Sequence, residues 1–498
     1  MGAAALLVLG LAAGAAQSTA PDAERAARNV ATFDALWATV RDTHWDPELG
    51  GVDWLAVRTE LLPQAQAAAT DDALRGVLMA ALARLGQSHF TIIPAAFAAA
   101  DPVEAEEAPE PATATDAPAA PAKDAPAPAK DAPAATTPAK PAAEKPAPHR
   151  RARTSDEGSI GATLTLLPRE GAPASFDAIV TAVEPGSPAE RASIVPGTVV
   201  LTIDGDAPTD GLPPGDGLER YERAARLRAL AHGAPGETTR WVLQSEDGGR
   251  REVELAFADD PRPRSKFGSL PPLPTELTYR HLDQTERERW GAGAREIGLV
   301  RFNIWLIPVA RPFDVAIDAL RGSDGIILDL RGNPGGIGAM AMGLAGHFTA
   351  EPATLGEMRT RDTKLSFVTN PRRVDTAGRP VDTYAGPLAI LVDETSASTT
   401  EIFAGGLQHL GRARIFGSRT AGAALPAVTT TLPNGDILLH AVADFRLPDN
   451  SALEASGVKP DGARPYARAD YLREGDPAMA EAVRWIASQP RPAAKPAP

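Results

Sequence analysis

Residues 387–422 read PLAILVDETSASTTEIFAGGLQHLGRARIFGSRTAG, and this stretch decides the fold. PLAILVDE is an apolar run of strand length that ends in charge, as a buried strand does. Ser398 to Leu410 carries helical spacing, and RARIFGS reads as a further strand. The same alternation precedes it. IGLVRFNIWL (297–306) reads as a strand, Phe313 to Leu320 as a helix, GIILDLRG (325–332) as a buried strand and Gly338 to Phe348 as a helix. Residues 270–490 are therefore expected to form an α/β core.

Two strand-to-helix junctions could hold chemistry. Asp329-Leu330-Arg331-Gly332-Asn333-Pro334-Gly335-Gly336 is a glycine-rich turn at the end of a strand, where backbone N–H groups can bind a phosphate or an oxyanion. Asp393 to Glu401 sets small hydroxyl residues at a helix start. A serine there gains from the helix dipole and from the amide that follows it. Plainer readings stand beside these. Ser396 and Ser398 could be helix caps, and Asp329 with Arg331 could be a structural ion pair. A nucleotide-binding turn is a third option, although neither G-x-x-x-x-G-K-[ST] nor a clean G-x-G-x-x-G is present.

Together the two segments resemble the S41 peptidases, the family of C-terminal processing and tricorn-type proteases. IILDLRGNPGG is similar to the family's IDLRNNGGG. LVDETSASTTEIFAGGLQHLGRARIFGSRTAG is similar to its VLVD..SASASEIFA..LQD.GRA..VG..T.G. The resemblance implies a ClpP/crotonase-like α/β protease core, with Ser398 as nucleophile and the amides of Gly336 and Thr399 as oxyanion donors. Many members use a lysine in a T.GKG segment as base. Here that segment reads Thr420-Ala421-Gly422-Ala423-Ala424, and no lysine lies between Lys364 and Lys459. The tricorn-type branch uses a histidine instead. Leu85-Gly86-Gln87-Ser88-His89 resembles its L.D.H segment, and Leu453 to Asp461 resembles its EG.GV.PD segment. The resemblance thus implies His89 as base, supported by Ser88 and Glu454. His409 lies eleven residues beyond Ser398, about 16 Å along a helix axis and out of reach. His440 falls in an alternating strand and reads as structural.

Upstream, residues 21–95 read as a helical part. Its clearest segment, Asp71 to Leu85, ends at Gly86, and Phe90 to Ile93 follows as a strand. Residues 96–153 are dominated by Ala, Pro, Lys, Asp and Glu, a composition that cannot offset ordering entropy and reads as a disordered linker. Residues 157–260 alternate short strands and turns, with a helical insertion expected over Leu218 to Ala231. The run EPGSPAERASIVPGTVVLTIDG resembles a PDZ domain, which implies binding of peptide C-termini by strand addition. The matching carboxylate loop is Ser159, Ile160, Gly161 and Ala162.

Composition bounds the rest. The chain has 498 residues, 43% of them apolar, with a net charge of -14 and no cysteine. The acidic balance argues against nucleic acid as a partner. The missing cysteines exclude disulfides, thiolate metal sites and a Cys nucleophile. Without an HExxH motif or a Cys/His cluster, no metal or other cofactor is implied. Residues 1–16 carry a short apolar run ending in small residues, which fits a secretory signal and a periplasmic or secreted protein. It is short for a stable membrane span. The expectation is a multidomain α/β and α+β chain: an N-terminal helical part, a PDZ-like β domain and the protease core. Its function would be that of an exported serine endopeptidase acting on proteins or peptides, with C-terminal tails as one class. The rival is an inactive protein that holds peptide tails. Oligomeric state is not readable.

Overall fold

The computed structural model describes residues 22–97 and 158–491, apart from Ser269, Pro271 and Ala463. The expected signal lies outside the described residues. So does the expected linker, except for Ala96 and Phe97, which fall in the short 3-10 turn Ala95–Phe97.

The helices Asp22–Thr43, Trp54–Ala67 and Asp71–Ala83 form the N-terminal part. Asp53 and Thr70 start the second and third by accepting from Ala56 N and Ala73 N. Leu74, Leu78, Ala81 and Leu82 bury one face of the third helix. Each fully buried leucine stabilises the packing by about 2 kcal/mol. This helix stops two residues before the expected Leu85, and Gly86 (φ +61) turns the chain. The strand Thr91–Ile93 then pairs antiparallel with Ile437–Ala441, Thr91 opposite Leu439. The helices share one apolar core with Leu425, Leu432, Leu438 and Ala441. Arg75 also binds Asp436, which is fully buried, through two contacts of 2.9 Å. The helical part is thus packed on a hairpin of the core.

Residues 158–259 form a second core. Five strands lie in the order Ala162–Arg169, Ala172–Val183, Val199–Ile203, Thr238–Gln244 and Arg250–Ala256, all antiparallel. Val180, Val200, Trp241 and Leu243 fill the interior. The helical insertion is present as Leu218–Ala229. The helix Arg468–Glu474, from beyond the central sheet, also contacts this unit, with Arg468 donating to the carbonyls of Gly197 and Ser245.

The central sheet runs Leu277–His281, Ile297–Phe302, Gly325–Asp329, Leu388–Val392 and Arg414–Gly417. The first pair is antiparallel and the others are parallel. Side chains alternate between two apolar layers. Ile326, Leu328 and Ile390 face Phe313, Phe348 and Phe403, whereas Ile327, Ala389 and Leu391 face Met479, Val483 and Ile486. Burial on both faces explains the unbroken apolar runs. The strand expected over 297–306 stops at Phe302, because the chain turns at Asn303, whose side chain binds Glu276 N and Pro274 O. The following helix starts earlier than expected, as Ile307–Leu320, and the one expected over 338–348 is only Met340–Ala345.

Candidate active site

Two parallel strands end side by side at Asp329 and Val392, and the turns that follow them interlock. Asp393 accepts from Gly332 N at 3.0 Å. Ser396 Oγ donates to Leu330 O at 2.8 Å. Asn333 O accepts from Ala397 N at 3.1 Å and Thr400 Oγ1 at 3.1 Å. Ser396 is therefore a turn former. The suggested Asp329–Arg331 ion pair exists, and Arg331 also binds Asp476 through two contacts of 3.0 and 2.9 Å. It anchors the glycine turn to the start of the helix Pro477–Ser488.

Ser398 sits immediately before the helix Thr399–His409, with φ +55 and ψ -119. A non-glycine residue there is strained, and such strain collects at functional sites. Its hydroxyl makes no cap bond to the helix. The glycine turn closes on it. A Cβ built at Gly335 would lie 2.6 Å from Ser398 Cβ, and one at Gly336 (φ +143) would lie 2.3 Å from Trp305 O. Only glycine fits at either position. Trp305 N donates to Gly335 O at 2.9 Å and Thr399 Oγ1 to Gly336 O at 2.9 Å, which orients this turn. The amides of Gly336 and Thr399 donate to no group among the described residues.

Glu401, not singled out from the sequence, lies fully buried beneath the serine. It accepts from Thr420 Oγ1 at 2.5 Å, Gly422 N at 2.8 Å, Ala423 N at 3.0 Å and Ser398 N at 3.1 Å. Burial pushes its pKa up to about 7, partly opposed by these donors. The only sequence signal was its place three residues after Ser398, which looks like half of a capping box.

Ser88, His89 and Glu454 form one hydrogen-bonded chain. Ser88 Oγ lies 2.7 Å from His89 Nδ1 and 2.9 Å from Glu454 Oε2, and Ser88 N donates to Glu454 Oε1 at 2.8 Å. Ser88 has a single proton. If it goes to the carboxylate, Nδ1–H must donate to Ser88, which leaves Nε2 with a free lone pair. His89 is itself strained, with φ +60. Burial lowers its pKa to about 4 and raises that of Glu454 to about 7. Neither His89 Nε2 nor Ser398 Oγ has a hydrogen-bond partner among the described residues. Both ring nitrogens of His440 are occupied, by Thr43 Oγ1 at 3.1 Å and Thr430 Oγ1 at 3.0 Å.

The helix Leu218–Ala229 of the β unit touches this site. Tyr221 packs against Ala397, Ala421 and Ala423. Arg220 donates to Thr420 O, and Arg228 Nη1 donates to Gly332 O at 2.9 Å. The loop matched to a carboxylate site is differently engaged. Ile160 N already donates to Ala231 O at 3.0 Å, and Gly161 N to Ser159 Oγ at 2.9 Å. Ser159 is zipped between Ala258 and His232, and Ala162 opens the strand paired at Val183. Two of the amides that would hold a carboxylate are thus taken by the protein itself. Among the described residues, no group of three or more His, Asp or Glu is arranged to hold a metal, and no helix is long and apolar enough to cross a membrane.

Comparison with known proteins places the chain among peptidase-like sequences and folds. Residues 296–463 match peptidase family S41, and residues 26–83 match the tricorn protease C1 domain. The chain is 27% identical over 294 residues to a carboxyl-terminal-processing protease of Picosynechococcus, covering 58% of this chain and 61% of that protein. It is 28% identical over 279 residues to the Synechocystis protein of the same name, covering 55% and 56%. It is 25% identical over 286 residues to a probable CtpA-like serine protease of Staphylococcus aureus, covering 57% and 49%. It therefore spans about half to three fifths of the length of these relatives. Among solved structures, mature CPAF matches with a TM-score of 0.55 at 13% identity, covering 93% of this chain and 97% of that one. The lactacystin complex of CPAF gives 0.54 at 14%, covering 93% and 98%. At such identities the likeness concerns the fold.

Proposed function

For a chain whose residues 296–463 match peptidase family S41 and whose residues 26–83 match the tricorn protease C1 domain, we propose the activity of an exported serine endopeptidase of the Ser–His type. His89 Nε2 takes the proton of Ser398 as Oγ attacks a peptide carbonyl. The Gly336 and Thr399 amides receive the oxyanion, and His89 returns the proton to the leaving amine. Water, deprotonated by His89 in turn, hydrolyses the acyl-enzyme. Glu454 and Ser88 hold His89 in the tautomer that leaves Nε2 free. The observation that carries this reading is the strained, uncapped Ser398 beside two amides that donate to no group among the described residues. No hydrogen bond joins His89 to Ser398 among the described residues, and the mechanism requires one to form in the substrate complex, where catalytic hydrogen bonds often tighten. Substrates are proteins or peptides, and the similarity to carboxyl-terminal-processing proteases points to carboxyl-terminal segments.

We read residues 157–260 as a PDZ-like domain that contributes Tyr221, Arg220 and Arg228 to the walls of the site. Capture of a terminal carboxylate at Ser159–Ala162 would first require release of the Ile160 and Gly161 amides. Export rests on the apolar start of the sequence, and mass spectrometry of the secreted chain would find its N-terminus near Ala15 or Ala16. A fluorophosphonate probe tests the chemistry. Labelling of the wild type and none of Ser398→Ala is expected, with His89→Ala labelling far more slowly. An unlabelled wild type would favour the inactive, tail-holding alternative.

A further inference from the structure

Resting on His89 as the general base, we infer that His44 is the positioning residue that holds that base in its strained turn. His44 is fully buried and matched no motif in the sequence. One ring grips both flanks of the Ser88–His89 pair. Its Nε2 lies 2.9 Å from Gln87 Oε1. Its face stacks on Phe90, with centroids 5.7 Å apart and planes 15° from parallel. Gln87 and Phe90 are the residues immediately before and after the pair.

His89 needs such a grip. At φ +60 it occupies a region that costs a side-chain-bearing residue roughly 1–3 kcal/mol, and it stays there only if its neighbours over-determine it. His44 is well placed to supply that determination because it is itself fixed on every side. Its Nδ1 faces Asp46, 3.0 Å from the amide nitrogen and 2.9 Å from the carbonyl oxygen. With the Asp46 N–H donated to Nδ1, Nε2–H donates to Gln87, so one neutral tautomer satisfies both nitrogens. The Asp46 carboxylate in turn accepts from Glu48 N at 3.0 Å and Gly50 N at 2.8 Å, which closes the loop around the ring.

The backbone of His44 is tied to the catalytic core. Its carbonyl accepts from Arg361 Nε, and Arg361 Nη2 donates to Arg41 O at 2.6 Å. Arg361 stands between the strands Thr354–Arg359 and Lys364–Val368, and the first of these also pairs with Asp444–Arg446. A continuous set of bonds therefore runs from the core through Arg361 and His44 to the residues that bracket the base.

The test uses the full chain with His44→Phe, which keeps the stack and loses the hydrogen bond, and Gln87→Leu, which removes the same bond from its half-buried end. Each should lower kcat about tenfold with KM within twofold. The double variant should be no slower than the slower single one, since both remove one interaction. Hydrogen exchange supplies a readout that needs no activity: amides of residues 86–90 should exchange faster in both variants, while those of 399–405 do not change. Wild-type kcat and wild-type exchange in Gln87→Leu would overturn the inference, as would fully additive losses. Failure of the underlying reading looks different. Full activity in His89→Ala would remove His89 as base, and exchange at 86–90 would still decide whether His44 holds the turn.

Discussion

Ser398 and Glu454 lie on opposite edges of a single peptide group. The carbonyl of Ala423 accepts the Ser398 N–H at 2.8 Å, and the N–H of Ala424, in the same amide plane, donates to Glu454 Oε2 at 3.0 Å. The serine backbone and the carboxylate are therefore no more than about 8 Å apart. Ala423 stands where lysine-dependent S41 peptidases carry their base. Here that position supplies backbone that joins Ser398 to the Ser88–His89–Glu454 chain.

Glu454→Gln should lower kcat by two orders of magnitude or more while KM changes little. A carboxamide can donate its N–H to Ser88, so Ser88 donates to His89 Nδ1 and Nε2 becomes protonated, the wrong tautomer for a base. Steady-state kinetics on a denatured protein substrate would check this. A loss under threefold would remove Glu454 from the relay.

The same carboxyl predicts the acid limb of the pH profile. With Glu454 raised to about 7 and His89 lowered to about 4, the first group to gain a proton on acidification is Glu454. The value of kcat/KM should fall about tenfold per pH unit below 7. In Glu454→Gln the residual activity should stay flat toward pH 4. A limb that stays near 7 in this variant would assign it to Glu401, which burial holds in the same range. Stability runs the other way. The folded pKa of Glu454 lies above its ordinary 4.5, so folding takes up a proton. That contribution is complete below 4.5 and lost as pH rises through 7.

Gly336→Ala should cost about 100- to 1000-fold in kcat. The added methyl would sit 2.3 Å from Trp305 O, and the chain can relieve that clash only by rotating the amide aimed at the oxyanion. Fluorophosphonate labelling, which depends on the same amide, should fall in parallel. Near-normal labelling would show that the donor lies elsewhere.

Arg75→Ala should destabilise the protein by about 3–5 kcal/mol, because it leaves the fully buried Asp436 without a cation. Asn434 Nδ2 and Ala95 N remain as its donors. Arg75→Ala with Asp436→Asn should recover much of the loss. Urea denaturation measures both, and equal stability of the single and double variants would show that the carboxylate was never the problem.

Ser398, Gly336 and the two central strands were legible because each belongs to a contiguous segment whose residue types state the local geometry. Gly335 and Gly336 are needed for close approach, and the strand runs are apolar throughout because both faces are covered. The His89 relay was legible only through family resemblance, since nothing near Ser88 in the sequence points to Glu454. Glu401 escaped notice because a glutamate in the first turn of a helix reads as a cap partner, and its burial depends on the distant 420–423 segment. The docking of Thr91–Ile93 on Ile437–Ala441 was invisible for the same reason: an edge strand carries no mark of its partner. The Ser159–Ala162 loop shows what a motif leaves out. Its residues match the pattern, yet Ala231 already occupies the amide of Ile160.

The pairing of Ser88 with Glu454 spans 366 residues of chain. During synthesis the Ser88 end emerges 366 residues ahead of the Glu454 end. The relay cannot assemble until the hairpin at 427–441 and the loop that carries Glu454 have left the ribosome and folded back onto the first helices. Long-range closure of this kind is slow compared with local helix formation. A chain that has not yet closed on itself thus holds Ser88 and His89 without their carboxylate partner, and the proposed activity waits on the fold.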